Sequence, residues 1–501
     1  MIAVISVISI MLPFCVALCA FSKPAKAKAI DLVTAMQDRA LFGEWFAGES
    51  WGAWLTVAKV MCAVALDETE RFIYEYVSGR KTLPTEIKQL WVCAGRRSGK
   101  SIFAAFMAVY HAVFRDWGAV LTWGETGIVA VVAPDRAQAK IVFNYARAFC
   151  QEIPMIRRLV AQITAESITF KNHIQLQVKT ASYRTSRGFS VVCLVVDECC
   201  FLRDESSSNP FAEILRAVKP SMSTTRGMMI CISTPYSRFG TFYENHQRYF
   251  GVENPNVLFV RAPTAFMNPS VDESVIQEAF AEDRVAALSE FGSLEEGIQF
   301  RSDVETFVDL ELVQSLVEKG RYELAPMPGV ACVASGDIAG GTGGESTAGG
   351  LAAKLSDGTI ALIGVREWKG KHSPAAAIAE MAEWFKGYGI TKVTMDRYAG
   401  AFPIDEFRKY GIAVEPAPMS KSDFFLALLP LLNSKRVQLL DNDRLIAQLV
   451  GLERKCRAGG HDSVDHGPSG KDDLINAAAI AIVTAATKWT RQPGDQGYDF
   501  I

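Results

Sequence analysis

The sequence predicts an α/β protein made of two successive units, on three observations. Short apolar runs alternate with helical stretches from about residue 87. A glycine-bearing turn, Gly95 to Ser101, joins the first run to the first helix, and a second alternation begins near Gly329. A chain of 501 residues, 49% hydrophobic and 21% charged, can bury two or three cores, which excludes a disordered or fibrous polymer. A formal charge of −3 supplies no global attraction for polyanions, so any such contact falls to local patches such as Arg157-Arg158 or Lys435-Arg436. The 11 cysteines form no paired CxxC framework, and Cys93, Cys193, Cys231 and Cys332 lie in apolar runs as small hydrophobes, which fits reduced thiols in a cytoplasm.

Met1 to Ala20 is almost wholly apolar, and Ser22-Lys23-Pro24-Ala25-Lys26-Ala27 follows it like an h-region with an Ala-x-Ala site. It lacks a basic n-region, so a start assigned too far upstream, or a membrane-associating leader, is the more economical reading of residues 1–30. The first unit, 31–262, then reads as strand Gln89–Cys93, helix Gly99–Phe114, strand Gly127–Ala133, helix Arg136–Gln151, and a hairpin of Ser167–Lys171 with Ile174–Lys179. The buried run Val191–Val196, a helix after Pro210 and the buried run Met228–Ile232 complete it. Strands apolar throughout belong to a parallel sheet covered on both faces. Residues 263–329 carry Pro263, Pro269, Pro326 and Pro328 around acidic helical segments and read as a connector. The second unit, 330–487, reads as strand Val330–Ala334, two strands about the Ser356-Asp357-Gly358 turn, helix Ala375–Phe385, strand Lys392–Met395 and a last helix Lys471–Ala486, before a polar tail, 488–501.

The turn Gly95-Arg96-Arg97-Ser98-Gly99-Lys100-Ser101 sits between strand and helix, the placement a phosphate-cradling P-loop requires. Its glycines let backbone N–H groups turn toward phosphate oxygens, Lys100 reaches the β- and γ-phosphates, and Ser101 ligates Mg²⁺. The run Val191–Val196 delivers Asp197 and Glu198 at its C-terminal end, where open α/β sheets bind ligands. Asp197 is the expected Mg²⁺ partner, and Glu198 the general base on the attacking water. Ser233 and Thr234, ending the next buried strand, are placed to sense loss of the γ-phosphate. Arg96, Arg97, Arg136, Arg184 and Arg187 are open candidates for an arginine finger. The first unit is therefore expected to be a P-loop ATPase with a mainly parallel sheet and a catalytic glutamate (ASCE type).

In the second unit Asp337 and Asp396 follow strands, Gly340-Gly341 allow close approach after the first, and Asp472-Asp473 open the last helix. Acids in this order, with a β-hairpin and a helix between the first two, reproduce the order of ribonuclease H-like nucleases, which hold two Mg²⁺ or Mn²⁺ ions. Asp472 and Asp473 point about 100° apart on a helix, so they are not equivalent ligands. Glu367 is a lower-ranked fourth member. His461, Asp462, Asp465 and His466 suggest zinc only weakly, without cysteine support.

Taken together, Gly95 to Ser101, Thr185-Ser186-Arg187-Gly188 leading into Val195-Val196-Asp197-Glu198, Ser233-Thr234-Pro235, Asp337 with Gly340-Gly341, Asp396-Arg397-Tyr398 and Lys471-Asp472-Asp473-Leu474 resemble the large terminase subunit of tailed bacteriophages and prophages, over about residues 40–486. The resemblance implies ATP-driven translocation of double-stranded DNA into a procapsid and metal-dependent cutting of concatemers. It also implies a small terminase subunit and a portal ring as partners, an oligomer on the portal, no stable membrane partner, and residence in the host cytoplasm. Asp337, Asp396 and Asp473 become the expected nuclease metal ligands, with Asp473 favoured over Asp472. Cys199-Cys200 after the acid pair, Ala339 where relatives carry a hydroxyl residue, and the apolar leader depart from the pattern. A helicase-like translocase lacking nuclease activity and a non-catalytic prophage remnant are the rival readings.

Overall fold

The computed structural model describes residues 30–179, 189–202, 210–340, 345–396, 401–456, 462–468 and 470–488. The apolar leader, Thr185 to Gly188 with Arg184, Gly341, Arg397 to Gly400, His461 and the tail beyond 488 lie outside them.

In the first unit, β1 (Gln89–Ala94), β2 (Gly127–Val132), β3 (Val160–Ile163), β4 (Ser167–Phe170), β5 (Ile174–Lys179), β6 (Ser190–Val196), β7 (Met228–Ser233) and β8 (Val257–Ala262) form one sheet in the order β3-β4-β5-β2-β6-β7-β1-β8. It is parallel from β5 to β8, and only β4 runs against it, with β3 antiparallel to β4 at the edge. Alternation along β1 shows why the runs read as continuously apolar. Leu90, Val92 and Ala94 enter a core beneath the N-terminal helices, while Trp91 and Cys93 enter a second core with Phe211, Phe242 and Phe259 on the other face. β7 is inserted between the strand that leads to the glycine turn and the strand that ends at Asp197, the order of the ASCE class.

The stretch 263–329 carries the expected helical segments and adds two strands. Thr264–Met267, Glu273–Glu282 and Arg284–Glu290 are helical, β9 (Val304–Thr306) and β10 (Val317–Glu318) follow, and both strands join sheets of the second unit. Short capped helices tolerate proline at their borders: Asp272 and Asp283 each accept a backbone N–H at a helix start.

The second unit contains β11 (Cys332–Asp337), β12 (Thr347–Lys354), β13 (Ile360–Trp368), β14 (Lys392–Met395), β15 (Ala413–Pro416) and β16 (Val437–Leu440), in the order β10-β16-β13-β12-β11-β14-β15. Its first five strands in chain order therefore lie third, second, first, fourth, fifth, with β12 antiparallel to both neighbours and β14 and β15 parallel to β11. This is the ribonuclease H-like arrangement. The first strand runs from Cys332 to Asp337, two residues later than the periodicity predicts, because Asp337 still pairs in the ladder, opposite Ala348. β17 (Leu452–Lys455) and β18 (Ser463–His466) make a small sheet with β9. The closing helix, Asp473–Lys488, packs its alanine-rich stripe on β11 and β12 so tightly that a Cβ on Gly350 would sit 2.8 Å from the carbonyl oxygen of Ala477. Among the described residues no helix is long and apolar enough to cross a membrane.

Candidate active sites

β1 and β6 run parallel, so the glycine turn and the Asp197-Glu198 pair emerge at the same edge of the sheet. Lys100 opens the helix Lys100–Val113, and Ser101 is its second residue, in the first turn where N–H groups have no intrahelical acceptor. The Lys100 ammonium is buried and donates to the carbonyls of Ala94 and Gly95 (both 2.8 Å) and to Thr234 Oγ1 (3.1 Å). Burial lowers its pKa, against the pull of the Glu198 and Asp197 charges. Asp197, 1% exposed, is pushed up to about 7 by burial first and by the Glu198 charge second.

Glu198 sits in the left-handed region (φ 47°, ψ 53°), an uncommon place for a residue with a Cβ, and one that turns its side chain back toward β7. There its Oε2 accepts from Ser233 Oγ (3.3 Å) and from the Thr234 N–H (3.2 Å). Lys100, Asp197, Glu198, Ser233 and Thr234, drawn from three separate stretches, thus form one hydrogen-bonded and charge-coupled group. Ser98 Oγ is buried without a hydrogen-bond partner, and Asp197 is desolvated beside a lysine whose bonds go to carbonyls. An orphan hydroxyl, a lysine free to exchange acceptors and a buried carboxylate fit phosphates with a divalent ion. Of the arginines, Arg96 pairs with Glu290 (3.2 Å), Arg97 adopts φ 62°, and Arg136 lies exposed near Glu166 (3.6 Å).

In the second unit Asp337, at the end of β11, accepts Asn476 Nδ2 at 2.8 Å from the closing helix. Its carboxyl is pushed up to about 7, by burial first; the Asn476 bond opposes this, and the charges of Asp473, Asp472 and Asp396 add to it. Asp473, the first residue of that helix, accepts the Ser346 N–H at 3.0 Å. Asp396 follows the last residue of β14, which neighbours β11. The fold therefore brings Asp337, Asp396 and Asp473 to one edge. Two ions about 3.5–4 Å apart need ligands spread wider than one coordination sphere.

Asp472 takes another direction. Its Oδ2 lies 2.8 Å from Lys421 Nζ, which also reaches Asp465 at 2.9 Å. Burial opposes the Lys421 charge, but Asp472 and Asp465 outweigh it and hold the ammonium above its ordinary range. Asp465, His466 and Asp472 are the one trio among the described residues whose ligand atoms all fall within 4.8 Å of one another, and Lys421 already neutralises two of them. Glu367 is gripped by Arg444 through Nε (2.6 Å) and Nη2 (2.7 Å), so its charge is compensated. Sequence reasoning missed Asn476, Ser346 and Gln448. Gln448 Oε1 accepts the N–H groups of Leu474 and Ile475 (both 2.9 Å) and so caps the helix that carries Asp473. An asparagine three residues after Asp473 was the available signal for the first, since positions i and i+3 share a helix face.

A search of curated proteins finds no match to this chain. Solved structures similar to it include the HK97 bacteriophage large terminase (17% identity, 84% of this chain and 95% of that chain, TM-score 0.37). They also include the large terminase of a thermophilic bacteriophage (13%, 79% and 94%, TM-score 0.34). A third is the large terminase nuclease of thermophilic phage G20c (15%, 36% and 96%, TM-score 0.29). A family model described as "Uncharacterized protein MJ0330, N-terminal P-loop domain" matches residues 28–292, just over half of the chain and the whole stretch from the N-terminal helices through Glu290. With its glycine turn, buried lysine and acid pair inside that match, the chain belongs to this P-loop family.

Proposed function

We propose that this chain is the large terminase subunit of a tailed phage or prophage. It hydrolyses ATP in residues 31–262 to move double-stranded DNA into a procapsid, and cuts concatemeric DNA in residues 330–487. The observation that carries the reading is the pairing, in one polypeptide, of the Lys100–Asp197–Glu198–Thr234 group with a separate ribonuclease H-like edge lined by Asp337, Asp396 and Asp473.

In the ATPase, the glycine turn from Gly95 to Ser101 holds the phosphates, and Lys100 exchanges its two carbonyl bonds for β- and γ-phosphate oxygens. Ser101 and Asp197 would hold Mg²⁺. Glu198 takes the proton of the attacking water, and Ser233, bonded to Glu198, with Thr234, bonded to both Lys100 and Glu198, registers departure of the γ-phosphate. In the nuclease, Asp337, Asp396 and Asp473 would hold Mg²⁺ or Mn²⁺, which would supply water activation and leaving-oxygen stabilisation there. Asp472, tied to Lys421, braces the helix start instead. Double-stranded DNA, a small terminase subunit, a portal protein and further copies of this chain on the portal are the partners the reading requires.

Purified full-length protein should hydrolyse ATP faster with duplex DNA present and should nick plasmid in Mn²⁺. Asp337→Ala should abolish nicking and leave the ATPase rate within about twofold, since the two centres lie on different sheets. Nicking that persists in Asp337→Ala favours a translocase without a nuclease. Absence of ATP hydrolysis with DNA and partners present favours a non-catalytic remnant.

A further inference from the structure

A P-loop binds phosphate through backbone N–H groups, so its carbonyls have to point elsewhere and find donors there. In this chain five consecutive carbonyls are each met by a side chain. Lys100 Nζ holds those of Ala94 and Gly95 at 2.8 Å. The hydroxyl of Thr264 donates to the Arg96 carbonyl at 2.8 Å, the amide of Asn268 to that of Arg97 at 2.8 Å, and the indole N–H of Trp54 to that of Ser98 at 2.7 Å. The Asn268 amide is oriented by Ser270, whose N–H (3.2 Å) and hydroxyl (2.6 Å) both donate to its oxygen, leaving the nitrogen side for Arg97.

The glycines of the turn are cut to fit these donors. A Cβ on Gly95 would lie 2.1 Å from Thr264 Oγ1, and one on Gly99, where φ is +91°, would lie 3.0 Å from the Trp51 ring and 3.1 Å from Trp54 Nε1. Thr264 and Trp54 are wholly buried, and Trp54 stacks on Phe103 of the following helix with ring centroids 4.4 Å apart. Backbone bonds add to the hold, with Arg96 N–H on the Glu290 carbonyl and Thr264 N–H on that of Phe291, both at 2.7 Å.

We propose that Trp54, Thr264 and Asn268 are positioning residues for the nucleotide: they fix the P-loop carbonyls outward so that its N–H groups face the phosphates before nucleotide arrives. Lys100 is the exchangeable member of the set. It leaves Ala94 and Gly95 when phosphate binds, while the other three donors stay in place. The segment after β8 thereby belongs to the nucleotide site, although none of its residues touches nucleotide.

The proposal rests on the reading of the turn as a nucleotide site. The test is titration of full-length protein with the fluorescent nucleotide mant-ADP, alongside the melting temperature of the nucleotide-free protein. Thr264→Val, which keeps shape and loses the hydroxyl, and Asn268→Ala should each weaken binding by roughly tenfold, one hydrogen bond's worth, with melting little changed. Thr264→Ser should restore binding to within about twofold of wild type, because the donor returns. Trp54→Phe, which keeps the ring on Phe103, should behave like Thr264→Val. Wild-type affinity in Thr264→Val, or a loss that Thr264→Ser fails to repair, overturns the proposal. If Thr264→Val does not fold, Asn268→Ala at the rim decides, and unchanged affinity there overturns it. Wild-type protein that does not bind mant-ADP overturns the nucleotide-site reading itself.

Discussion

At the residue scale the proposed chemistry falls most sharply on Glu198. Its backbone is held at φ 47° and its carboxylate is anchored on Ser233 and Thr234, so Glu198→Gln keeps the shape and both acceptor contacts while removing the proposed base. ATP hydrolysis should fall by roughly 10²–10⁴-fold with nucleotide affinity nearly intact, as a rapid-quench assay beside equilibrium binding would read. Asp337 gives a pH signature. Its carboxyl rises from 3.8 to about 7 in the fold, so the folded state binds a proton more tightly than the unfolded chain does. The stability this contributes is fully present below the unfolded value and is lost as pH rises toward the folded one. In metal-free protein Asp337→Asn should therefore raise the melting temperature by several degrees at pH 8, the difference closing toward pH 4. A constant difference across that window would contradict the assigned environment.

At the scale of elements, the closing helix decides where Asp473 stands. Gly350 on β12 lets that helix approach to backbone contact, and Gly350→Ala would press a methyl against the Ala477 carbonyl (2.8 Å) and Ser335 Oγ (2.9 Å). Overpacking of this kind costs about 1–3 kcal/mol. Melting should drop by several degrees and plasmid nicking should fall at least about tenfold as the acids lose register, with ATP hydrolysis retained. Nicking at the wild-type rate would show that helix seating does not set the site.

The strands were legible in sequence because parallel sheets demand unbroken apolar runs: β1, β2, β6, β7 and β14 lie where periodicity puts them, within a residue or two. β8 escaped notice because it lies close to a proline-bearing stretch, and the contributions of Thr264 and Asn268 were illegible because a lone threonine and asparagine carry no spacing signal. The acids Asp337 and Asp473 could be read from strand ends and a helix start. The Lys421–Asp472 pair could not, because it joins residues 51 positions apart, and only the fold shows which of two adjacent aspartates turns away.

Over the whole molecule, the chain just beyond β7 touches the second unit. Two residues beyond Thr234, the Tyr236 hydroxyl donates to Glu453 of β17 at 2.7 Å, where Glu453 is 2% exposed, and the Tyr236 carbonyl accepts the Arg301 N–H at 2.6 Å. β17 pairs with β18, which ends at His466, beside Asp465 and the Lys421–Asp472 bridge. Tyr236→Phe should leave ATP hydrolysis within about twofold while reducing any effect of nucleotide on nicking, a coupling read by comparing nicking with and without a non-hydrolysable ATP analogue.

The claim on which the account turns is that Asp337, Asp396 and Asp473 form one metal centre. A crystal of the full-length protein soaked in Mn²⁺, measured at the manganese absorption edge, tests it most directly. The account predicts two anomalous peaks roughly 3.5–4 Å apart, bracketed by those three carboxylates. Manganese found only between Asp465, His466 and Asp472, or none at the β11 edge, would contradict it.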